Sequence, residues 1–94
     1  MRSVIRSFKD KDIEKLLAGK FVRKFQGIEK AALKKLDEID SADDITDLLT
    51  PPSNQLKILS GKRKGQYAIR INRQWRICFY WNGGAEGVEI TDYH

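Results

Sequence analysis

Residues 67–81, Tyr-Ala-Ile-Arg-Ile-Asn-Arg-Gln-Trp-Arg-Ile-Cys-Phe-Tyr-Trp, carry the strongest structural pattern of this 94-residue chain. Apolar side chains occupy every second position from 67 to 71 and again from 75 to 81, which is typical of strands with one apolar face. The intervening Asn72-Arg73-Gln74 favours a tight turn. So short a connection joins antiparallel neighbours, and the stretch therefore predicts a β-hairpin.

The same alternation continues on both sides of this hairpin. Leu56 and Ile58 precede it, and Val88 and Ile90 follow it. Turn-forming residues separate these runs, at 60–65 and 82–84. Residues 2–6 resemble one further short strand, so the sequence predicts an antiparallel sheet of four to five strands.

The first half of the chain predicts helices. Asp10 is suited to cap a helix that runs through Leu17, and Gly19 fits the position just beyond its end. A second helix is indicated by apolar residues at helical spacing, with charged residues, Lys35 among them, on its other side. Its apolar positions are Ile28, Ala32, Leu36 and Ile39.

Two connecting segments complete the prediction. Ser41 and Asp44 have the spacing of a capping box and predict a short helix over Ile45 and Leu48, which Pro51 and Pro52 end. Residues 20–26 are basic and aromatic, and we interpret them as a linker; whether it is ordered before a partner binds stays open. The whole chain, residues 1–94, is predicted to be a single α+β domain with two N-terminal helices packed on one face of the sheet.

Charge is distributed unevenly along the chain. The net charge is +5, and residues 51–85 contain seven Lys or Arg and no Asp or Glu. A one-sided positive field favours a polyanionic partner, although a solvated basic surface is the alternative. These basic residues are Lys57, Lys62, Arg63, Lys64, Arg70, Arg73 and Arg76.

Strand alternation predicts where three of these cations point. If the apolar side chains face the helices, then Lys57, Arg70 and Arg76 share the opposite, open face of the sheet. Arg73 would lie in the turn at its edge. A cluster of cations on one face is better support for anion binding than net charge alone.

The inventory of reactive residues is small. Cys78 is the only cysteine, so we expect no disulfide, no metal site, no cofactor and a reducing cytoplasm. A position inside a strand indicates that Cys78 is a packing residue rather than a nucleophile. No apolar run approaches the roughly 20 residues of a membrane-spanning helix, and the first residues do not resemble a signal peptide.

The end of the chain, Asp92-Tyr93-His94, is the remaining chemical candidate. His94 could exchange protons near neutral pH, and Tyr93 could stack on a base or donate a hydrogen bond. The alternative is a frayed terminus. RNA cleavage needs no metal, because the ribose 2′-OH can attack its own phosphate if the protein supplies a base, an acid and cations. The basic residues of the open face and this end form a sufficient set.

Three motifs of this chain resemble those of the HigB toxins, which belong to the RelE/ParE superfamily and are also called plasmid maintenance system killer proteins. They are Gly61-x-x-x-Gly65, the block Gln74-Trp75-Arg76-Ile77-x-Phe79, and the closing Asp92-Tyr93-His94. Val4-Ile5-Arg6-Ser7-Phe8 and Leu56-x-x-Leu59-x-Gly61 match as well, so that the resemblance covers nearly the whole chain.

This resemblance implies a compact RelE-like fold and a ribosome-dependent endoribonuclease that cleaves messenger RNA. It also implies a HigA-like helix-turn-helix antitoxin, with a monomer when free and a hetero-oligomer when neutralised. By position, Arg76 corresponds to a phosphate-binding arginine. Asp92, Tyr93 and His94 correspond to the catalytic group, with His94 transferring a proton. Further RNA contacts are expected from the other basic residues of the second half, namely Lys62, Arg63, Lys64, Arg70 and Arg73.

One departure from the family pattern affects the mechanism. Some HigB proteins have histidine where this chain has Lys57, and lysine is a poorer base at neutral pH. The assignment of general base and general acid therefore stays open. Two other functions remain in competition: a non-catalytic toxin of the same fold that poisons DNA gyrase, and a plain RNA-binding module.

Overall fold

The computed structural model describes residues 4–92, which form two helices and a four-stranded antiparallel sheet in the order β1-β2-β3-β4. Tyr93 and His94 lie outside the described residues. The helices are α1 (Lys11–Leu17) and α2 (Glu29–Asp40), and the strands are β1 (Lys57–Ile58), β2 (Gln66–Arg70), β3 (Trp75–Trp81) and β4 (Ala85–Asp92). The predicted α+β class is confirmed.

Both helices begin and end close to the predicted positions. The Asp10 side chain accepts a hydrogen bond from the backbone N–H of Asp12, and Gly19 has a positive φ of 80° beyond the end of α1. The apolar stripe of α2 is buried and packs with that of α1 against the inner face of the sheet, burying a single large core. The core residues of the sheet are Ile69, Ile77, Phe79, Ala85, Val88 and Ile90.

The predicted first strand is replaced by two isolated bridges. Ile5 and Phe8 pair in parallel with Ala85 and Val88, on the outer edge of β4. The carboxylate of Asp40, at the end of α2, accepts hydrogen bonds from the backbone N–H groups of Val4 and Ile5 at 2.8 and 2.9 Å. The N-terminal segment is thus held between a helix end and an edge strand, so it does not form a continuous ladder.

The segment 20–26, whose order the sequence left open, is packed against the core. It contains a 3-10 turn, Arg23–Phe25, and Phe25 is completely buried. The Phe25 ring makes an edge-to-face contact with Trp75, with 5.9 Å between the ring centroids. Burial of an aromatic ring supplies enough apolar contact to order a short, otherwise basic segment.

Lys35 and the capping box also differ from expectation. Lys35 is buried, because its ammonium group bonds the buried Asn54 side chain and the Glu38 carboxylate. The capping box uses Asp44 and Asp47 rather than Ser41, and begins a 3-10 turn, Ile45–Leu49. A second turn, Pro52–Asn54, begins at the second proline.

The alternation in β1 fails at its second residue. Ile58 is 75% exposed, whereas Leu59 is buried in a small cluster with Ala68 and Cys78. Because β1 is a two-residue strand at the edge of the sheet, the helices leave Ile58 uncovered. Leu59 lies just beyond the strand and packs on the open face instead.

Candidate nucleic-acid interface

The open face of the sheet presents two arginines side by side. Arg70 of β2 and Arg76 of β3 are direct cross-strand partners, and Thr91 of β4 is the next residue in the same row. Both arginines are partly exposed. The Arg70 Nε atom donates a hydrogen bond to the carbonyl of Asn72 at 2.9 Å, which fixes one side of its guanidinium group.

Lys57 lies in the adjacent row of the same face. Its cross-strand partner is Ala68, two residues before Arg70 along β2. Two residues of a strand span about 6.6 Å, and side chains two apart share a face. The prediction that Lys57, Arg70 and Arg76 share one face is therefore confirmed, and the Lys57 side chain is exposed.

The turn between β2 and β3 presents Arg73 at the edge of this face. The Asn72 side-chain oxygen accepts hydrogen bonds from the backbone N–H groups of Gln74 and Trp75, both at 2.8 Å. Such a side-chain-closed turn is a common role of asparagine. It leaves Arg73 exposed at the tip.

Asp92 occupies the other face by register. Its cross-strand partner is Trp75, whereas Arg76 pairs with Thr91. The Gln74 amide donates a hydrogen bond to Asp92 Oδ2 at 2.9 Å. Gln74 thus contacts a predicted catalytic residue. Gln74 belongs to the block that resembles the HigB toxins, but the sequence did not indicate this contact. The catalytic roles of Asp92, Tyr93 and His94 stay predictions.

Arg63 makes an internal ion pair. Its Nη1 atom donates to Glu89 Oε1, and also to the Gln66 side chain at 3.1 Å. The neighbouring Lys62 and Lys64 are exposed. Sequence reasoning missed Glu89, because nothing in an alternating strand marks one acid as the partner of a distant arginine.

The pKa of Glu89 reflects this environment. Burial by itself raises the pKa of the carboxyl group, but hydrogen bonds from Arg63 and Lys9 outweigh burial and lower it below the ordinary 4.5. Glu89 therefore stays charged at neutral pH and cancels part of the positive field around Arg63.

Tyr80 is a second residue that sequence reasoning missed. Its ring is 47% exposed, and it shares the open face because its partner across β2 is Gln66. Gly65 and Gly87 lie on opposite edges of the ring, where an added Cβ would be 3.7 Å and 3.6 Å from its nearest atoms. Both glycines are distant from Tyr80 in the sequence, so their approach to the ring follows only from the strand pairing.

The remaining chemical candidates are weak. Cys78 is fully buried, and burial raises the pKa of its thiol, so it is poorly suited to act as a nucleophile. Among residues 4–92, the structure contains no group of three or more potential metal ligands. Over the same residues, no helix has the length and apolar character needed to cross a membrane. The feature that suits the binding of an anion is the shared face of Lys57, Arg70 and Arg76.

Comparisons with known proteins agree with this description. A family model described as a RelE-like toxin of the type II toxin-antitoxin system HigB matches residues 6–94. The Endoribonuclease HigB of Proteus vulgaris is 35% identical over 96 residues, which cover 97% of this chain and 100% of that protein. Toxin HigB-1 of Vibrio cholerae is 39% identical over 66 residues, 70% of this chain.

Coverage and fold complete the comparison. The matched part spans just under two thirds, 66%, of the Vibrio cholerae protein, and 64% of a 40% identical, uncharacterised protein of Haemophilus influenzae. Among solved structures, the YoeB-YefM complex from Staphylococcus aureus contains a chain with a TM-score of 0.64 and 22% identity, over 100% of this chain and 99% of that chain. At 22% identity, this structural similarity establishes the fold alone.

Proposed function

The chain belongs to the HigB family of RelE-like toxins of type II toxin-antitoxin systems, and from that membership we propose that it is an endoribonuclease that cleaves messenger RNA on the translating ribosome. The observation that carries the proposal is the row of Arg70 and Arg76 on the open face, with Lys57 in the next row. Two guanidinium groups side by side, with an ammonium group in the next row, form a positive surface that attracts a polyanion. The phosphodiester backbone of RNA is such a polyanion.

The proposed reaction is a transesterification that needs no metal. The 2′-oxygen attacks the adjacent phosphorus and the bond to the 5′-oxygen breaks, which yields a 2′,3′-cyclic phosphate and a 5′-hydroxyl end. Arg76 and Arg70 bind the phosphate oxygens, because guanidinium groups form paired hydrogen bonds with them. Lys57 stabilises the additional charge on phosphorus.

Proton transfers are assigned to the end of the chain. His94 exchanges a proton with the 2′-oxygen or the 5′-oxygen, since imidazole titrates near neutral pH. Tyr93 orients or stacks on the base, and Asp92, with Gln74 as its partner, supports the end of β4. Arg73, Lys62 and Lys64 supply further contacts to the RNA backbone.

The proposal includes the partners and the compartment. A type II toxin is neutralised by an antitoxin protein, and we expect a HigA-like protein with a helix-turn-helix domain. The toxin would be a monomer when free and a hetero-oligomer with its antitoxin. A substrate that is messenger RNA in the decoding site of the 70S ribosome requires a cytoplasmic location.

Brief expression in bacteria tests the function. Wild type, His94→Gln, Arg76→Ala and a control, Arg23→Ala, are each induced, and an abundant transcript is mapped by primer extension. The control removes an exposed arginine from the 3-10 turn Arg23–Phe25. Cuts within translated codons are expected for wild type and control, and none for the two other variants or when translation is blocked. Growth arrest with intact transcripts would refute the nuclease and favour a gyrase poison.

A further inference from the structure

Glu89 is an unusual residue for the open face of this sheet. It is an acid that is only 8% exposed, on the face that also carries Lys57, Arg70 and Arg76. Its cross-strand partner is the fully buried Cys78. A buried carboxylate is costly unless charged or hydrogen-bonding groups surround it, so its partners indicate why it is there.

Those partners come from two distant parts of the chain. Arg63 binds Glu89 Oε1 from the segment between β1 and β2, and Lys9 Nζ lies 3.3 Å from Oε2 from the segment before α1. The Glu89 side chain is 11% exposed, against 33% for Arg63 and 59% for Lys9. The Arg63–Glu89 pair is therefore more shielded from solvent than the Lys9–Glu89 pair, and it holds the segment between β1 and β2 more strongly than Lys9 holds the segment before α1.

The segment that carries Arg63 lies over the sheet. Leu59 donates its backbone N–H to Gln66 and packs on Ala68 and Cys78, which covers the thiol. A 3-10 turn, Gly61–Arg63, follows, and places Lys62 and Lys64 in solvent on either side of the anchored arginine. The cover is therefore attached at both ends: at Leu59 by its side chain and its backbone N–H bond to the Gln66 carbonyl, and at Arg63 by its bonds to Glu89 and the Gln66 side chain.

We propose that Glu89 is a positioning residue that, through Arg63, holds residues 59–64 against the open face and thereby fixes Lys62 and Lys64 as an extension of the Lys57–Arg70–Arg76 surface. Arg63 serves as the anchor of this segment rather than as a contact to RNA. The claim that Glu89 holds this segment in place is argued from the contacts of Glu89 alone. The claim that the positioned lysines bind RNA rests on the proposed function.

Cys78 provides a direct measurement of the first claim. It is the only cysteine of the chain and is fully buried beneath Leu59. Its rate of reaction with a disulfide reagent such as dithionitrobenzoate reports how often the segment lifts. The variants are Glu89→Gln and Arg63→Gln, and the matched control is Glu86→Gln. Glu86 is a partly exposed acid of β4 that pairs with Arg6.

The expected result is an increase in labelling rate of about tenfold for both variants, from the loss of one charged hydrogen bond, and no change for the control. The labelling rate is compared with the rate of global unfolding, followed by circular dichroism, and must exceed it. Labelling at the wild-type rate, or only at the rate of global unfolding, would overturn the positioning role.

Cleavage of a short messenger RNA on programmed 70S ribosomes measures the second claim. Glu89→Gln is expected to raise KM several-fold with little change in kcat, because displaced lysines weaken binding but leave the reacting groups in place. Faster labelling with an unchanged KM would overturn the link to RNA binding. Wild type that does not cleave at all would refute the proposed function, while the labelling result would still decide the role of Glu89.

Discussion

Arg70 and Arg76 face each other directly across the β2–β3 ladder, so that two guanidinium groups leave the same side of the sheet from adjacent strands. Both arginines are partly exposed, and guanidinium groups bind phosphate oxygens by paired hydrogen bonds, so the pair is suited to an anion. Neutralising Arg70 should therefore separate function from stability.

Arg70→Gln is expected to weaken binding of single-stranded RNA while the free energy of unfolding stays within about 1 kcal/mol of wild type. Loss of one phosphate contact should make the log–log salt dependence of binding shallower by about 0.7. Fluorescence anisotropy over a salt series and urea unfolding provide the two measurements. Arg23→Gln, an exposed arginine outside the sheet, is the control and should change neither. A salt slope equal to that of wild type would remove Arg70 from the interface.

Glu89→Gln should destabilise the protein by about 2 kcal/mol at pH 7, the contribution of hydrogen bonds between charged groups. Burial raises the pKa of Glu89, but the bonds from Arg63 and Lys9 prevail, so the folded-state pKa lies below 4.5. The stabilisation is therefore complete above about pH 4.5 and is lost as the pH falls through the folded-state pKa. Urea unfolding of both proteins from pH 7 to pH 3 should show the difference shrinking. A difference that grows on acidification would contradict this sign.

Asn54→Ala should destabilise the protein by about 2–3 kcal/mol, because it leaves buried polar groups without partners. The Asn54 side chain is fully buried, accepts a hydrogen bond from Lys35 and donates to the carbonyl of Leu48 at 3.2 Å. Urea unfolding measures the loss. Ser53→Ala, at the exposed preceding position, should change stability by less than about 0.5 kcal/mol. Equal effects of the two substitutions would show that the buried amide is not what holds this loop.

Phe25→Ala should cost about 3–5 kcal/mol, since it removes a fully buried ring. The contact of Phe25 with Trp75 adds a spectroscopic signal: tryptophan emission should shift to longer wavelength as water reaches the indole. Phe21→Ala is the matched control, because Phe21 is 66% exposed in the same segment. Similar small effects of both changes would mean that residues 20–26 are not ordered in the free protein.

The alternation of apolar and polar residues predicted most of the sheet, because that alternation and the length of a short turn together determine the register of a hairpin. From parity the sequence predicted that Lys57, Arg70 and Arg76 share a face, and the pairing confirms it. The prediction that Ile58 is part of the buried apolar face was wrong, because β1 is a two-residue strand at the edge of the sheet and the helices do not cover it.

Other features depend on contacts that no local pattern contains. Lys35 has the sequence position of a solvent-facing residue, and only its contact with Asn54, 19 residues further along the chain, accounts for its burial. Glu89 finds its partner Arg63 at a separation of 26 residues. Within the site, the sequence predicted which basic residues share the open face, but it did not predict that Arg63 forms an ion pair with the buried Glu89.

The parallel bridges of Ile5 and Phe8 to Ala85 and Val88 have a consequence for synthesis. A nascent chain that extends only through β3 has no strand for its first residues to join, and Arg76 lacks its neighbour Thr91. Contacts between residues so far apart in sequence form late in folding. The N-terminal segment can therefore take its place beside β4 only after residues 85–92 have been synthesised, so that the first and last parts of the described fold are assembled together.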